Sequence, residues 1–449
     1  MPNYRKSRSF SVPHYRKSRK FLRGSKMIRK RAIFTELIKW LDSNKIIIIK
    51  GARQVGKTTL LLYLKNHLTA SNKRTVYISA DDLMFKNVFD SPSRFFQYLK
   101  FEHNIEKDVH ILIDEFQYIK DAGLFIKVLY DTAKRENRNI TFVVSGSSSL
   151  EISKNREFLT GRKVEFTLFP FSLNEALAEE KKYAVTFDVY SEFNDLVNFY
   201  SIYKEEIEGE LVNFLRWGGY PEVYLEADLF KKKTIFKEII SSYLEKDIAG
   251  FLRISNISAF NNLIKVLAGQ IGNLVNKNEL SGSLGLNYKT VEHYLDVLKG
   301  TYIFSYVTPF FTNVRKELTR MPKVYIHDAG IYYYYYRMDI TFDTIEGKVI
   351  ENFVFNTLRN RYDEGIYFYR TKDKTEIDFI IKNDQQFTPI EVKFRKKISI
   401  PPALLSFIDK FGTGPGIVIT KDLIEKRDNV FCIPVAMLPF CSLTPASKK

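Results

Sequence analysis

Cysteine is nearly absent from this chain. Cys432 and Cys441 stand alone among 449 residues, with no CxxC pair and no histidine cluster beside them. A disulfide-built scaffold and a cysteine–histidine zinc site are thereby excluded, and a reducing, cytoplasmic setting is expected. Long apolar runs are missing too. None approaches the ~20 residues that a membrane helix requires, so no membrane partner is expected. Acid is missing from one end, since Met1–Arg31 holds 12 Lys and Arg and no Asp or Glu. Outside that stretch the other 57 of the 69 basic residues nearly balance the 52 acids, so most of the net charge of +17 belongs to a tail.

The tail carries a short repeat, Tyr4-Arg-Lys-Ser-Arg-Ser-Phe10 and Tyr15-Arg-Lys-Ser-Arg-Lys-Phe21, in which aromatics bracket basic clusters. Such a pattern suits a polyanion-binding arm. It equally suits a disordered solubilising extension, residues upstream of a start at Met27, or a transit peptide. Residues 1–33 are expected to be disordered. What remains is too long for one hydrophobic core, and the length implies two to four domains.

The stretch "IIIIKGARQVGKTTLLLYL" then stands out. Lys45–Lys50 reads as a buried strand and Thr59–Leu68 has helical spacing, so a glycine loop sits between strand and helix. Gly51, Ala52, Arg53, Gln54, Val55, Gly56, Lys57, Thr58 and Thr59 fit the phosphate-loop pattern. Its glycines let backbone N–H groups turn inward at the positive end of the following helix. Lys57 is placed to reach the β- and γ-phosphates of ATP, and Thr58 to ligate magnesium.

Hydrolysis needs acids as well. "VHILIDEFQYI" supplies a strand, Val109–Ile113, ending in Asp114 and Glu115. Asp114 suits the magnesium shell, and Glu115 can orient or deprotonate the attacking water. A further strand, "NITFVVSGSSSLE", ends in Ser145, Ser147 and Ser148. Ser145 is the first choice for a hydrogen bond to the γ-phosphate or the water, with ordinary turn chemistry as the alternative. Together with a strand at Thr75–Ser79 and a helix at Gly123–Lys134, the alternation predicts a parallel sheet covered by helices on both faces.

These residues resemble prokaryotic AAA-superfamily ATPases whose C-terminal half carries a domain with restriction-endonuclease-like features. The resemblance runs from about Met27 to about Thr420, on "KGARQVGKTTLL", "ILIDEFQYI", "VVSGSSS", "FLTGRKVEFTLFPFSLNE", "WGGYPEVY" and "EIDFII…IEVKF". It implies the same roles for Lys57, Thr58, Asp114 and Glu115. It also draws attention to Arg162 as an arginine finger toward a neighbouring subunit or domain. The alternatives are an ion pair of Arg162 with Glu165 or Glu157, and Arg156 in its place.

The fold class expected is α/β: a P-loop NTPase sheet with a helical lid, a winged-helix-like segment and a C-terminal restriction-endonuclease-like α/β domain. The corresponding boundaries are 34–170, 171–255, 256–340 and 341–449. Gly218–Pro221 marks a turn in the lid. In the winged-helix-like segment Asn287 is expected to cap a helix with Val291, Tyr294, Leu295 and Leu298 on one face. Lys289 and His293 offer donors to DNA there, beside Glu292 and Asp296, which phosphates would repel. Packing or oligomerisation is the competing role.

At the C-terminal end, a hairpin centred on Asp384 and Gln385 sets Asp378 opposite Glu391, with Lys393 on the same face. Two acids so placed conflict unless a cation lies between them. With Glu351 from the preceding helix this gives a Glu, Asp, Glu-x-Lys set, similar to magnesium-dependent nucleases of the restriction-endonuclease-like superfamily. The alternative is surface pairing, with Glu376 opposite Lys393. The leading expectation is a magnesium-dependent ATPase moving its appended domains, with DNA and a homo-oligomer as candidate partners. An ATP-gated DNA endonuclease and a non-catalytic nucleotide switch are the alternatives.

Overall fold

The computed structural model describes residues 29–105, 107–147, 159–242, 254, 256–310, 321–336, 339–362, 365–371, 373, 375–383 and 386–443. The repeat of the basic tail, Ser148, Arg156, Glu157 and the hairpin tip at Asp384 and Gln385 lie outside the described residues.

Five parallel strands form the first sheet: β1 (Ile46–Lys50), β2 (Thr75–Ser79), β3 (Val109–Asp114), β4 (Ile140–Gly146) and β5 (Lys163–Thr167), in the order β2-β3-β4-β1-β5. The apolar run that opens the phosphate loop is therefore an inner strand, hydrogen-bonded to β4 on one side and β5 on the other. Such a strand is covered on both faces, which is why four consecutive isoleucines suit it. Alternate side chains serve opposite faces. Ile47 and Ile49 pack with helix α2 (Lys57–Ala70) and with α1 (Ile33–Lys39). Ile46 and Ile48 pack with α3 (Pro92–His103) and α4 (Ala122–Arg135). Each fully buried Ile or Leu contributes roughly 1.5–3 kcal/mol, enough to hold the loops at the sheet's carboxyl edge in register.

Ordered structure begins earlier than the tail reading allowed. Arg31, counted there within a disordered segment, is 7% exposed and held by four acceptors. Charge counting does not separate it from the other basic residues of the tail.

After β5 come the short helix α5 (Leu173–Leu177), strand β6 (Phe187–Asp188) and the 25-residue helix α6 (Phe193–Trp217). Helices α7 (Pro221–Leu225) and α8 (Leu229–Ser242) follow. Three more helices, α9 (Ile257–Gly269), α10 (Lys277–Leu284) and α11 (Tyr288–Gly300), lead to the antiparallel pair β7 (Phe304–Val307) and β8 (Lys323–Ile326). Asn287 caps α11 through the Thr290 N–H at 2.8 Å, and Val291, Tyr294, Leu295 and Leu298 are buried, as the spacing predicts. Tyr332 and Tyr333 on α12 (Ala329–Tyr336) are buried in the same core.

Helix α13 (Gly347–Arg359) then covers one face of a six-stranded sheet, and α14 (Pro402–Phe411) covers the other. Its strands are β9 (Ile366–Arg370), β10 (Glu376–Asn383), β11 (Gln386–Lys393), β12 (Gly416–Thr420), β13 (Glu425–Arg427) and β14 (Val430–Pro434). Their order is β13-β14-β12-β11-β10-β9. The β10–β11 hairpin has the predicted register, with Phe379 opposite Ile390 and Asn383 opposite Gln386. A final strand, β15 (Cys441–Ser442), runs back to pair with β6. One apolar core is continuous from the α2 face of the first sheet through the middle helices to α13.

Candidate active site

The phosphate loop closes under steric compulsion at its first glycine. Gly51 has φ 155°, and a Cβ there would lie 2.1 Å from the Leu168 carbonyl oxygen, which is backbone and cannot swing aside. Gly56 adopts φ 98° as the residue before α2, a conformation that disfavours any side chain. The loop thus delivers its N–H groups to the start of a 14-residue helix, where the helix dipole favours an anion.

Lys57 is 5% exposed, and its ammonium donates to the carbonyls of Gly51 at 3.0 Å and Ala52 at 2.8 Å. Both acceptors are neutral, so a phosphate oxygen can displace them at little cost. Thr58 and Thr59 are exposed at the mouth of the loop.

Strand β3 carries Asp114 to the same edge. Its carboxylate is 1% exposed and accepts from Tyr77 Oη at 3.1 Å, from the Ser145 hydroxyl and from the Glu115 N–H at 3.0 Å. Every described neighbour that bonds it is a donor. Ser145 therefore sits against Asp114, at the end of β4.

Glu115 takes φ 50°, in the left-handed region that non-glycine residues seldom occupy. Backbone strain of this kind is typical of functional positions. Burial pushes its carboxyl above the ordinary range, while Lys57, the Gln117 amide and Arg53 oppose that rise. A half-buried carboxylate with a raised proton affinity, in the field of a lysine, is what a general base requires.

Sequence reasoning missed Gln117. Its side chain is 4% exposed and donates to both the Glu115 carboxylate and Ser147 Oγ, the latter at 3.0 Å, while its carbonyl accepts from the Ser147 N–H at 3.3 Å. It holds Glu115 to the end of β4. The only sequence signal was its place two residues beyond Glu115.

Arg162 is not paired with Glu165. It forms a 2.8 Å ion pair with Asp131 of α4, and Glu165 is taken by Lys50 and Lys163. Parallel pairing with β1 sets β5 so that Glu165 lies opposite Ile48, and Lys50 and Lys163 flank it.

Arg31 also escaped sequence reasoning. It donates to the Val55 carbonyl in the phosphate loop at 2.9 Å, to the Phe169 carbonyl at 2.6 Å and to Glu175 at 3.1 Å. The Leu168–Phe171 segment it touches is a junction. Leu168 N–H bonds Lys50 O at 2.7 Å beneath the loop, and Phe171 N–H bonds Gly219 O at 2.7 Å. The Phe169 ring lies 3.6 Å from the Arg359 guanidinium and 4.9 Å from the His327 ring.

Gly218 and Gly219 of the "WGGYPEVY" stretch wrap the buried Asp328 carboxylate. Gly219 N–H donates to it at 2.7 Å, and a Cβ on Gly218 would fall 1.8 Å from its oxygen.

The second acid set is gathered differently. Val392 N–H donates to Asp378 Oδ2 at 2.8 Å and Asp378 N–H to Glu391 Oε2 at 3.4 Å, so carboxylates take the backbone donors at the expected register position. Lys393 pairs with Glu391, not with Glu376. A residue that sequence reasoning did not consider, Lys323 of β8, lies 2.6 Å from Glu376, 3.1 Å from Glu351 and 3.8 Å from Asp378. Tyr325 Oη adds a 2.6 Å bond to Glu351. A divalent ion does not fit this arrangement, because an ammonium already stands among the acids. Among the described residues no group of three His, Cys, Asp or Glu side chains is arranged for a metal.

Residues 43–177 match the family described as an AAA domain. Residues 208–340 and 346–438 match two families, each described as a domain of unknown function (DUF8612 and DUF4143). An uncharacterized protein of Methanocaldococcus jannaschii is 25% identical over 81% of this chain and 82% of its own length. One from Haemophilus influenzae is 26% identical over 82% and 87%. Among solved structures, the Thermotoga maritima RuvB Holliday junction branch migration motor matches with TM-score 0.31 and 15% identity, over 64% of this chain and 94% of that one. Aeropyrum pernix ORC1 in complex with DNA matches with TM-score 0.28 and 11% identity, over 68% and 91%. No described helix is long and apolar enough to cross a membrane. The chain is thus a P-loop protein with an AAA domain at residues 43–177, followed by two domains whose families are of unknown function.

Proposed function

We propose that the protein is a magnesium-dependent ATPase whose hydrolysis cycle moves the two appended domains. The observation that carries this reading is the convergence of Lys57, Asp114, Glu115, Ser145 and Gln117 at one edge of the first sheet, with Glu115 half-buried in the field of the lysine. Thr58 and Asp114 are the residues that would hold the ion. When bound, magnesium supplies charge neutralisation to the phosphates.

The chain's own residues do the rest. Loop N–H groups bind the phosphates, Lys57 exchanges the Gly51 and Ala52 carbonyls for phosphate oxygens, and Glu115 accepts the proton of the attacking water. Gln117 keeps Glu115 in place. Arg162 serves as a finger toward a second copy only by giving up Asp131, an exposed pair worth at most ~1 kcal/mol.

Motion is transmitted through Leu168–Phe171, which touches the phosphate loop at one end and Gly219, His327 and Arg359 at the other. DNA is the proposed object of that motion. The support is the helix–turn–helix and β-pair arrangement of α10, α11, β7 and β8, read as a winged helix, in which Lys277 neutralises Glu292. The C-terminal sheet flanked by α13 and α14 is consistent with a restriction-endonuclease-like fold, but its acids do not favour nuclease activity.

The test is phosphate release by the full chain with MgATP, with and without duplex DNA. Release stimulated by DNA is the expected result. Binding of ATP with no release from the wild type would leave the switch-only reading in its place.

A further inference from the structure

The acid cluster of the C-terminal sheet raises a question that the ATPase reading does not answer. Four carboxylates, Glu351, Glu376, Asp378 and Glu391, gather from α13, β10 and β11, their side chains only 6–29% exposed. Such a group needs positive charge. Lys393 answers Glu391 and Arg370 answers Glu376 from the margin at 3.6 Å. The centre is answered from outside the sheet altogether.

We infer that Lys323 is the resident cation of this cluster, that it latches the β7–β8 unit to the C-terminal sheet, and that it closes the cluster to divalent metal. Its side chain is 4% exposed and reaches three carboxylates, one on α13 and two on β10.

The strand that carries it is stitched from both sides. Lys323 pairs with Val307 of β7, and Val275 N–H and Val324 N–H bond across to Pro322 O and Asn273 O at 2.8 and 3.1 Å. Gly272 closes the cluster from above: a Cβ there would meet the Glu351 carboxylate at 3.2 Å. Seating of β8 and occupation by a metal therefore compete for the same space.

Manganese titration of the nucleotide-free full chain, followed by electron paramagnetic resonance, tests this. Wild type and D378N are expected to take up manganese identically, since the acids are already neutralised. D378N keeps an oxygen to accept the Val392 N–H. K323M is expected to gain one manganese site at least about tenfold tighter than any in the wild type, following the removal of a charge within 4 Å of the acids. That site should disappear in K323M/D378N, and K323R should behave as wild type.

A wild-type manganese site lost in D378N would overturn the inference. So would a K323M protein with a native circular dichroism spectrum and no new site. If K323M does not fold, the wild-type and D378N comparison still decides, because it needs no change at Lys323.

Discussion

Two carboxylate clusters in this molecule were built from similar sequence and ended in opposite states. At the phosphate loop, Glu115 lies in the field of Lys57, but the lysine rests on the carbonyls of Gly51 and Ala52. In the second sheet, Lys323 rests on the carboxylates themselves. Neutral acceptors can be exchanged for phosphate, whereas three half-buried carboxylates around a buried ammonium hold their cation against competitors. An acid-plus-lysine pattern is therefore uninformative until the lysine's acceptors are known. Where they are carbonyls the site is open to a ligand, and where they are acids it is filled.

The most severe way to break the comparison is to remove each lysine. K57A should abolish MgATP binding in calorimetry while leaving the unfolding midpoint near the wild-type value, because the Gly51 and Ala52 carbonyls regain water. K323M should leave MgATP binding intact and cost stability, on the order of 3–5 kcal/mol by denaturant unfolding, because three half-buried acids lose the buried ammonium that answers them. Equal effects of the two substitutions on stability would erase the distinction.

Gln117 offers a finer test. Burial raises the Glu115 proton affinity and the Gln117 hydrogen bond opposes it. Only the ionised carboxylate accepts a proton, so the rate of phosphate release should fall on the acid side at a pH above the ordinary glutamate value of 4.5. Q117A removes an opposing influence and should move that limb to higher pH, with roughly a tenfold loss of rate at neutral pH. A limb that stays in place would separate Gln117 from the base. The smallest expected effect is that of D131A, which frees Arg162 and should change stability by less than about 1 kcal/mol.

What was legible in the sequence is what chemistry confines to a short span. The phosphate loop needs eight consecutive residues, and the β10–β11 register follows from a two-residue turn even though the turn itself lies outside the described residues. Asp114 and Glu115 were legible because a buried apolar strand must end where polar groups can meet solvent or ligand. Lys323, Gln117 and Arg31 were not. Lys323 is separated by 28 residues from Glu351 and by 53 and 55 from Glu376 and Asp378, so only the packing of β8 against the second sheet reveals it. Arg31 carries the same charge as the tail before it, and nothing local distinguishes a buried arginine from a solvated one. Gln117 looks like any polar residue on a turn until the end of β4 is placed beside it.

The most direct measurement of the central claim is phosphate release from E115Q beside the wild type, with binding of MgATP measured on the same samples. E115Q is expected to bind nucleotide with unchanged affinity and to release phosphate at least about a hundredfold more slowly. Wild-type turnover by E115Q would contradict that claim, because the residue that the fold strains, half-buries and sets in the field of Lys57 would then have no part in the reaction.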